Sequence, residues 1–432
     1  MIGSGVSGLS AAWLLSQRHV VTLFEAENRL GGHANTVECR DTRGNPVPID
    51  TGFIVYNSAA YPNLVALFDH LKIATTGTDM GFGVSLDDGA YEYAGGSMAQ
   101  LIGNFGNLAR SGHWRMLADM ARFFRSAAGD AATADDSLTL GGYLRHKNYS
   151  AEFIDRHLLP MSAAIWSSEP GQMMDYPVRS FLRFFDNHGL LKFTNRPQWR
   201  TVTGGSREYV RRLVAASKLH VKLGHPVKRV ARLAKGVTVD GEEFDHVVIA
   251  THADQALAML DVPSIEETQC LSKLPYAINR AVLHRDRSLM PKRRRLWSSW
   301  NYAGTLSGTG SAVTYWMNKL QPLATEDDYF VTLNPRVEPA PDTVAGAFSY
   351  AHPVFSPAAM EAQRKLWRLQ GRQRTWFCGA YFGSGFHEDG LQAGLAVAEE
   401  LGGLTRPWRV ANPSGRIQLT VDSERTRLQA AE

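Results

Sequence analysis

The sequence Ile2-Gly3-Ser4-Gly5-Val6-Ser7-Gly8 decides the fold, and a helix-like run from Leu9 to Leu15 follows it directly. Gly3, Gly5 and Gly8 have the spacing of the G-x-G-x-x-G turn that binds a dinucleotide pyrophosphate. In that turn the first glycine permits a tight bend, the second lets the backbone approach the phosphates, and the third lets the helix pack against its sheet. The helix N-terminus then faces the anion. We therefore predict a phosphate-binding turn at the start of the chain.

The next segment continues this pattern. Val20-Val21-Thr22-Leu23-Phe24 is a short apolar run that predicts a second strand, and Glu25 follows it. A carboxylate roughly 20 residues after the glycines accepts hydrogen bonds from a ribose. Because a free acid there disfavours a 2′-phosphate, we expect a nucleotide other than NADP.

The expected first strand is short, since only Met1 and Ile2 precede Gly3. In a doubly wound sheet this strand is central. We therefore expect that the natural chain starts further upstream or has been shortened here.

Length and composition restrict the class of protein. The 432 residues can bury a large core and predict two or three domains, and 44% apolar with 20% charged residues is typical of a soluble globular protein. The sequence has no apolar run long enough to span a bilayer and no secretory signal. Cys39, Cys270 and Cys378 are far apart and have no metal-ligand spacing, so we expect reduced thiols, no metal site and a cytoplasmic location.

The segment Glu25-Ala26-Glu27-Asn28-Arg29-Leu30-Gly31-Gly32-His33 makes the assignment specific. A Glu, an Arg four residues later and then x-Gly-Gly resembles the FAD-binding start of the amine oxidase and phytoene desaturase superfamily. Members of that family usually have Arg or His after the glycine pair, where this chain has His33. The resemblance implies an α/β fold: a Rossmann-like FAD-binding domain with an inserted α+β substrate domain and a helical subdomain.

Two later segments extend the resemblance. Gly379 ends a predicted strand, and Glu388-Asp389-Gly390 precedes a helix-like run, which resembles the final flavin motif of the superfamily. Pro226-Val227 matches a middle piece, in which the backbone of Val227 holds the adenine. The resemblance implies non-covalent FAD and the following cofactor residues: Gly3, Gly5, Ser7, Gly8, Glu25, Arg29, Gly31, Gly32, His33, Val227, Gly379, Glu388, Asp389 and Leu391.

The same resemblance predicts a nucleotide domain that is divided along the chain. We expect its three parts at residues 1–75, 200–262 and 366–432. The substrate domain is expected at residues 76–100 and 263–365, and the helical subdomain at 101–199.

Several further segments resemble one bacterial branch of the superfamily, among them Asp50–Asn57, Ser298–Tyr302 and Gly385–Gly390. That branch includes the flavin-dependent desaturase of furan fatty acid formation. The resemblance covers nearly the whole chain and implies a methylated fatty acyl chain of a membrane phospholipid as the substrate.

Candidate catalytic residues follow from flavin chemistry, in which a flavin accepts a hydride and the protein supplies orientation and a base. His387 and His33 lie beside the flavin motifs, and histidine titrates near neutrality. Arg280 stands where amine oxidases of the superfamily often have a lysine near flavin N5. This difference weakens the hypothesis that the protein is an amine oxidase. Tyr56 and Asn57 are expected to face the isoalloxazine ring. The alternative is that these side chains only satisfy local hydrogen bonds or face water.

Aromatic side chains are frequent in the predicted substrate domain and could line an apolar slot. The alternative for each is ordinary core packing. The candidate substrate-binding residues are Trp300, Tyr302, Tyr315 and Tyr381.

Two basic segments indicate a membrane surface. Residues 113–127 carry Trp114, Leu117, Met120 and Phe124 at helical spacing with three arginines, and Pro291–Trp297 is a second basic cluster. A basic amphipathic helix suits an anionic bilayer, so we expect peripheral binding to the inner face of the membrane. The alternative is a helix that packs on its own domain. No nucleic-acid-reading motif is present.

Three functions remain open. The leading hypothesis is an FAD-dependent desaturase of a phospholipid acyl chain. The first alternative is an amine oxidase that makes an imine and hydrogen peroxide, and the second is a carrier that binds flavin and lipid without turnover. A plain NAD dehydrogenase would leave the motifs at Arg29 and Glu388 unexplained. The sequence does not identify the electron acceptor or the oligomeric state.

Overall fold

The computed structural model describes residues 1–135, 138–166, 170–192, 196–306 and 310–419. Short 3₁₀ turns, including Phe105–Ala109, connect several of its elements. The helices are α1 (Val6–Leu15), α2 (Pro62–His70), α3 (Met98–Ile102), α4 (Ser111–Thr133), α5 (Leu140–His146), α6 (Ala151–Phe153), α7 (Leu159–Trp166), α8 (Val178–Asn187), α9 (Arg207–Ala215), α10 (Ala253–Met259), α11 (Ile265–Leu271), α12 (Met317–Leu320), α13 (Pro357–Gln363) and α14 (His387–Gly402).

The strands form one parallel sheet, one large mixed sheet and several small ones. They are β1 (Val21–Phe24), β2 (Thr36–Arg40), β3 (Pro46–Asp50), β4 (Val55–Asn57), β5 (Thr75–Thr78), β6 (Phe82–Leu86), β7 (Tyr91–Ala94), β8 (Trp199–Val202), β9 (Leu219–Lys222), β10 (Val230–Arg232), β11 (Val237–Val239), β12 (Glu242–Phe244), β13 (Val247–Ile249), β14 (Tyr276–His284), β15 (Trp300–Gly304), β16 (Ala312–Trp316), β17 (Phe330–Leu333), β18 (Val344–Pro353) and β19 (Thr375–Phe377).

The parallel sheet has the order β9, β1, Ile2, β13, β19. β1 pairs with β9, β13 pairs with β19, and Ile2 bridges to Phe24 on one side and Ile249 on the other. Residues from both ends and the middle of the chain thus lie side by side. This arrangement confirms the predicted α/β fold, whereas the domain boundaries stay predictions.

Two helices pack directly on this sheet. α1 is buried along its whole length, as expected for a helix that is apolar on every side. It lies against α14 so closely that a Cβ added at Gly394 would be 2.2 Å from the backbone oxygen of Ser7. The close contact fixes the N-termini of both helices over the same edge of the sheet.

A second, seven-stranded sheet has the order β18-β14-β17-β16-β15-β6-β7. β15 pairs in parallel with β6 and antiparallel with β16, so Trp300 lies between Phe82 and Tyr315. Cross-strand neighbours of this kind contact one another on a sheet face. The sheet therefore presents a row of three aromatic side chains.

Helices α4 to α8 form a third layer around an aromatic core that includes Phe123, Phe153, Phe181 and Phe185. The apolar face of α4 packs into this core, since Met120 and Phe124 are buried there and Leu117 packs against it. Met120, Phe124 and Leu117 are therefore covered by the chain's own helices, and peripheral binding of the protein to a membrane stays a prediction. Within the described residues, no helix is long and apolar enough to cross a bilayer.

Candidate active site

A cavity of about 930 Å³ begins at the carboxyl ends of the parallel strands and reaches the seven-stranded sheet. Residues within two positions of the strand ends line its first part, among them Gly3, Glu25, Ala250 and Gly379. In doubly wound folds this edge of the sheet binds the ligand. We call this part the nucleotide end and the part beside the large sheet the substrate arm.

The three glycines of the first turn have three different surroundings. Gly3 has a φ of +95°, and a Cβ there would lie 2.8 Å from the Ala250 oxygen. A Cβ at Gly8 would lie 2.0 Å from the Gly3 oxygen, so this glycine is needed for packing. Gly5 has an ordinary φ of −63°, and a Cβ would meet no atom within 4 Å. Because Gly5 lines the cavity, its missing side chain leaves space for a ligand.

Polar groups at the nucleotide end are fixed in place. The Glu25 carboxylate accepts hydrogen bonds of 2.9 Å from the backbone N–H groups of Ser4 and Glu27. Arg29 donates to the Gly32 oxygen at 2.8 Å. Glu25, Arg29 and Gly32 line the cavity, as do Ser7 and Val227, whereas Gly8 and Gly31 do not. Gly31 shapes the turn instead, with a φ of +113°.

These residues fit FAD. The space beside Gly5 can take a pyrophosphate at the N-terminus of α1. The Glu25 carboxylate stands at the end of β1, where a ribose would be bound. In addition, the buried Nε2 atom of His33 lines the cavity and has no hydrogen-bond partner among the described residues. A buried polar atom of this kind requires a partner.

Three predicted cofactor residues at the start of α14 do not line the cavity. The Glu388 carboxylate accepts from the backbone N–H groups of Asn63 and Leu64 at 3.0 and 2.9 Å, which caps α2. Asp389 accepts from the Phe386 N–H at 2.7 Å and pairs with Arg416. Leu391 is fully buried. Their side chains hold α14 in position, and the residues that reach the cavity are 384–387.

His387 lines the cavity at the N-terminus of α14. Its ring stacks on Phe53 with 3.7 Å between centroids, and its Nε2 lies 2.6 Å from the Tyr209 hydroxyl. Burial lowers the pKa of His387 to about 3 and raises that of Tyr209. The hydroxyl therefore donates to a neutral imidazole, so this nitrogen is already engaged. These contacts indicate that His387 holds Phe53 and Tyr209 in position.

Two further histidines that sequence reasoning missed surround His33. The ring of His33 lies 5.3 Å from His352 and 6.3 Å from His252, and all three line the cavity. Burial, and then the neighbouring histidines, hold the pKa of His33 well below its usual range. His252 follows strand β13 by three residues, a position that could have indicated a site residue. All three imidazoles are therefore neutral at pH 7.

The structure places Arg280, Tyr56 and Asn57, which were predicted to be catalytic, outside the cavity wall. Arg280 is half exposed on β14 and pairs with Glu338 at 2.6 Å. Tyr56 is buried against Tyr61 and Phe68, and Asn57 accepts a hydrogen bond from the Ala60 N–H. Residues 53–55 line the cavity in their place.

Replacing Arg280 with alanine should leave the reaction nearly unchanged. An exposed ion pair contributes little to stability because water screens it, and this one does not touch the cavity. We expect the rate of flavin reduction to stay within about threefold of wild type. Stopped-flow measurement with Arg280→Ala and with the partner variant Glu338→Ala tests this. A large loss in the first variant alone would restore Arg280 as a catalytic residue.

The substrate arm is lined mainly by apolar and aromatic side chains. Trp300 and Tyr315 line the arm, whereas Tyr381 lines the cavity beside Gly379 at the nucleotide end. Tyr302 is buried in the core of the large sheet and does not line the cavity. The carboxylates of the cavity wall, Glu25 and Glu27, belong to the nucleotide end; over the described ranges the arm has no carboxylate. Other side chains of the arm are Met80, Phe82, Met161, Ile165, Phe184 and Leu190.

Buried histidines should make the protein sensitive to acid. Burial lowers the pKa of His188 and His387 to about 3 and that of His157, His284 and His352 to about 4. The unfolded chain binds these protons near pH 6.5, so the free energy of unfolding falls as the pH drops below that value. Each histidine contributes roughly 1 kcal/mol per pH unit in this window. Asp50, whose pKa burial raises to about 6, partly offsets the effect.

Thermal unfolding of the flavin-loaded protein, followed by circular dichroism from pH 7.5 to pH 5, checks this prediction. The melting temperature should change little above about pH 7 and should fall steadily as the pH drops below about 6.5. His284→Gln, which lies outside the cavity wall, should reduce the slope, and replacing the exposed His146 with glutamine should not. An unchanged melting temperature would show that these imidazoles are not buried.

Comparisons with known proteins agree with this geometry. Residues 6–402 match the family described as flavin containing amine oxidoreductase. A Mycobacterium tuberculosis protein named as a flavin-containing monoamine oxidase, AofH, is 28% identical over 293 residues, which cover 63% of this chain and 61% of that protein. The chain thus spans about three fifths of the length of this relative.

Solved structures with the same fold have lower identity. Cyclohexylamine oxidase from Brevibacterium oxydans has a TM-score of 0.65 at 18% identity, with 93% of this chain and 98% of that chain covered. A fatty acid isomerase from P. acnes that produces CLA has a TM-score of 0.64 at 14% identity, with 93% and 96% covered. At these identities the likeness establishes the fold alone.

Proposed function

The chain belongs to the flavin-containing amine oxidoreductase family, and from that premise we propose that it desaturates a methylated fatty acyl chain of a membrane phospholipid. As a member of this family it is an FAD-dependent oxidoreductase, and the FAD is held non-covalently. The observation that carries the finer proposal is the substrate arm, an apolar slot whose described wall has no carboxylate.

The chemistry of the arm favours an uncharged substrate. A protonated amine that leaves water for an apolar cavity loses several kcal/mol unless a carboxylate or an equivalent group pairs with it. The arm offers Phe82, Trp300 and Met161 instead. An acyl chain gains about 0.8 kcal/mol for each methylene buried against such a surface.

Dehydrogenation removes one hydride and one proton from adjacent carbons. Different residues of the chain contribute to different parts of this reaction. The bound FAD supplies the hydride acceptor. Trp300 and Tyr315 hold the acyl chain, while the helices around Met161 keep water away from it. His33, which is neutral and has an unpartnered Nε2 within the described structure, accepts the proton.

Amine oxidation is the second candidate. It is supported by the relative named as a monoamine oxidase and by the aromatic side chains of Trp300, Tyr315 and Tyr381 in the cavity wall. Aromatic faces attract cations with about 0.5–2 kcal/mol. This attraction is smaller than the free energy needed to desolvate an ammonium group. We therefore rank amine oxidation below desaturation.

Anaerobic mixing tests the proposal directly. Flavin-loaded protein is mixed with a methyl-branched acyl phospholipid dispersed in detergent, and with a panel of amines. We expect the lipid to bleach the flavin and to lose two hydrogens by mass spectrometry. Bleaching by an amine, with peroxide formed on admitting oxygen, would favour the amine oxidase. A flavin that stays yellow with bound lipid would identify a carrier.

A further inference from the structure

We propose that an exposed apolar patch beside the cavity docks the protein on an anionic lipid bilayer. The patch consists of Met98, Phe105, Leu108 and Trp114. This inference deepens the proposed function and rests on it for the identity of the substrate. Trp114 and the basic segment around Arg295 belong to the segments that the sequence indicated for a membrane surface, whereas Met120 and Phe124 of α4 are buried and take no part.

The four apolar side chains are exposed on three adjoining segments: α3, the turn at 105–109 and the start of α4. Met98 and Phe105 are 71% and 77% exposed, and Leu108 and Trp114 are 43% and 48% exposed. The Trp114 indole N–H donates to the Leu108 oxygen at 3.0 Å, which joins the start of α4 to the turn at 105–109. Single exposed apolar residues are ordinary, but a contiguous patch marks an interaction surface.

Cations border this patch. The Arg295 guanidinium lies 5.6 Å from the centre of the Phe105 ring and donates to the Gly103 oxygen at 2.8 Å. Arg110 is exposed within the patch segment itself. In the part of the chain that the structure describes, neither arginine pairs with a carboxylate. Apolar side chains with cations at the rim match a bilayer that carries anionic headgroups.

Both segments of this surface lead directly into the wall of the substrate arm. The Gly95 N–H, three residues before Met98, donates to the oxygen of Phe82 at 2.9 Å, and Phe82 lines the arm. Gln100 donates to the Arg295 oxygen at 2.8 Å. The basic segment then continues into Trp300, also in the arm. A protein held at the bilayer through this patch would bring the arm close to the acyl chains.

The charges favour a bilayer over a second copy of the chain. A two-fold interface through this patch would place the same surface opposite itself, so that Arg295 and Arg110 would face arginines. A bilayer with anionic lipid instead presents a negative surface potential over apolar tails.

Vesicle binding tests the docking surface separately from catalysis. The full-length, flavin-loaded protein is sedimented with vesicles of phosphatidylcholine alone or with phosphatidylglycerol. We expect binding to the anionic vesicles and at least tenfold weaker binding for the double variant Met98→Ser/Phe105→Ser. Arg110→Gln/Arg295→Gln should also weaken it. The matched control Val262→Ser/Ile265→Ser replaces side chains that are 76% and 78% exposed elsewhere and should bind like wild type.

The outcomes distinguish the two proposals. Flavin content and reduction by detergent-dispersed lipid should be unchanged in the patch variants, since the patch is outside the cavity wall. Vesicle binding equal to wild type in both patch variants would overturn the docking surface, whatever the substrate. A protein that binds anionic vesicles through the patch but oxidises no acyl lipid would keep the docking surface and reject the proposed function. A dimer in gel filtration that the patch variants abolish, without vesicle binding, would also overturn docking.

Discussion

A Gly5→Val protein is expected to fold and to be purified without flavin. At φ −63° and ψ 177° any L residue can replace Gly5, and the added Cβ meets no protein atom within 4 Å. The side chain instead enters the space for the pyrophosphate at the N-terminus of α1. Overpacking costs about 1–3 kcal/mol, and lost hydrogen bonds to a charged group cost about 1.5–3 kcal/mol each. Together these predict at least a hundredfold loss of FAD affinity.

The flavin-to-protein ratio of the purified variant measures this loss, and circular dichroism checks that it is folded. The matched control is Gly129→Val in α4, where a Cβ also meets no atom within 4 Å and which does not line the cavity. That variant should keep its flavin. If Gly5→Val is as yellow as wild type, the turn does not approach the cofactor and the assignment of the nucleotide end fails.

The location of the nucleotide end could be predicted because its signals are local. Gly3, Gly5 and Gly8 act through the backbone of one turn, and Glu25 follows its strand directly, so residue type and spacing are sufficient. The parallel order of the strands follows from the same motif.

Side-chain directions could not be predicted, because they depend on partners far away in the chain. Glu388 was recognised as part of a motif, but its carboxylate is bound by Asn63, which is 325 residues away in sequence. Arg280 lies on β14, and its ion pair with Glu338 holds its side chain at the surface. His252 meets His33 only because the parallel sheet brings their segments together.

The face of α4 shows another limit of sequence reasoning. Its apolar spacing predicts that something covers Met120 and Phe124 but does not identify what. Both are buried in the aromatic cluster of the helical layer, which includes Phe181 and Phe185 of α8. The exposed patch of Met98 and Phe105 has no periodic pattern, so only the structure reveals it.

An Ile165→Glu protein is expected to separate the two candidate substrates. Ile165 lies on α7, partly buried against the helical core, and lines the substrate arm. A carboxylate there removes apolar contact with an acyl chain and must itself lose water when the chain binds, at a cost of several kcal/mol. We therefore expect kcat/KM for the acyl lipid to fall about a hundredfold or more. For a protonated amine, the same carboxylate supplies the missing counter-charge and should raise kcat/KM.

Steady-state kinetics with both substrate classes measures the change, with flavin content as the check on folding. Ile165→Leu preserves the apolar wall and should stay within a few-fold of wild type. Ile265→Glu makes the same chemical change at a side chain that is 78% exposed and outside the cavity, and it should change neither reaction. Because the glutamate acts in opposite directions on the two substrates, a general loss of activity cannot imitate the expected result. An acyl lipid that reacts with Ile165→Glu as fast as with wild type would place its chain outside the arm, and the proposed desaturation would then have no binding site.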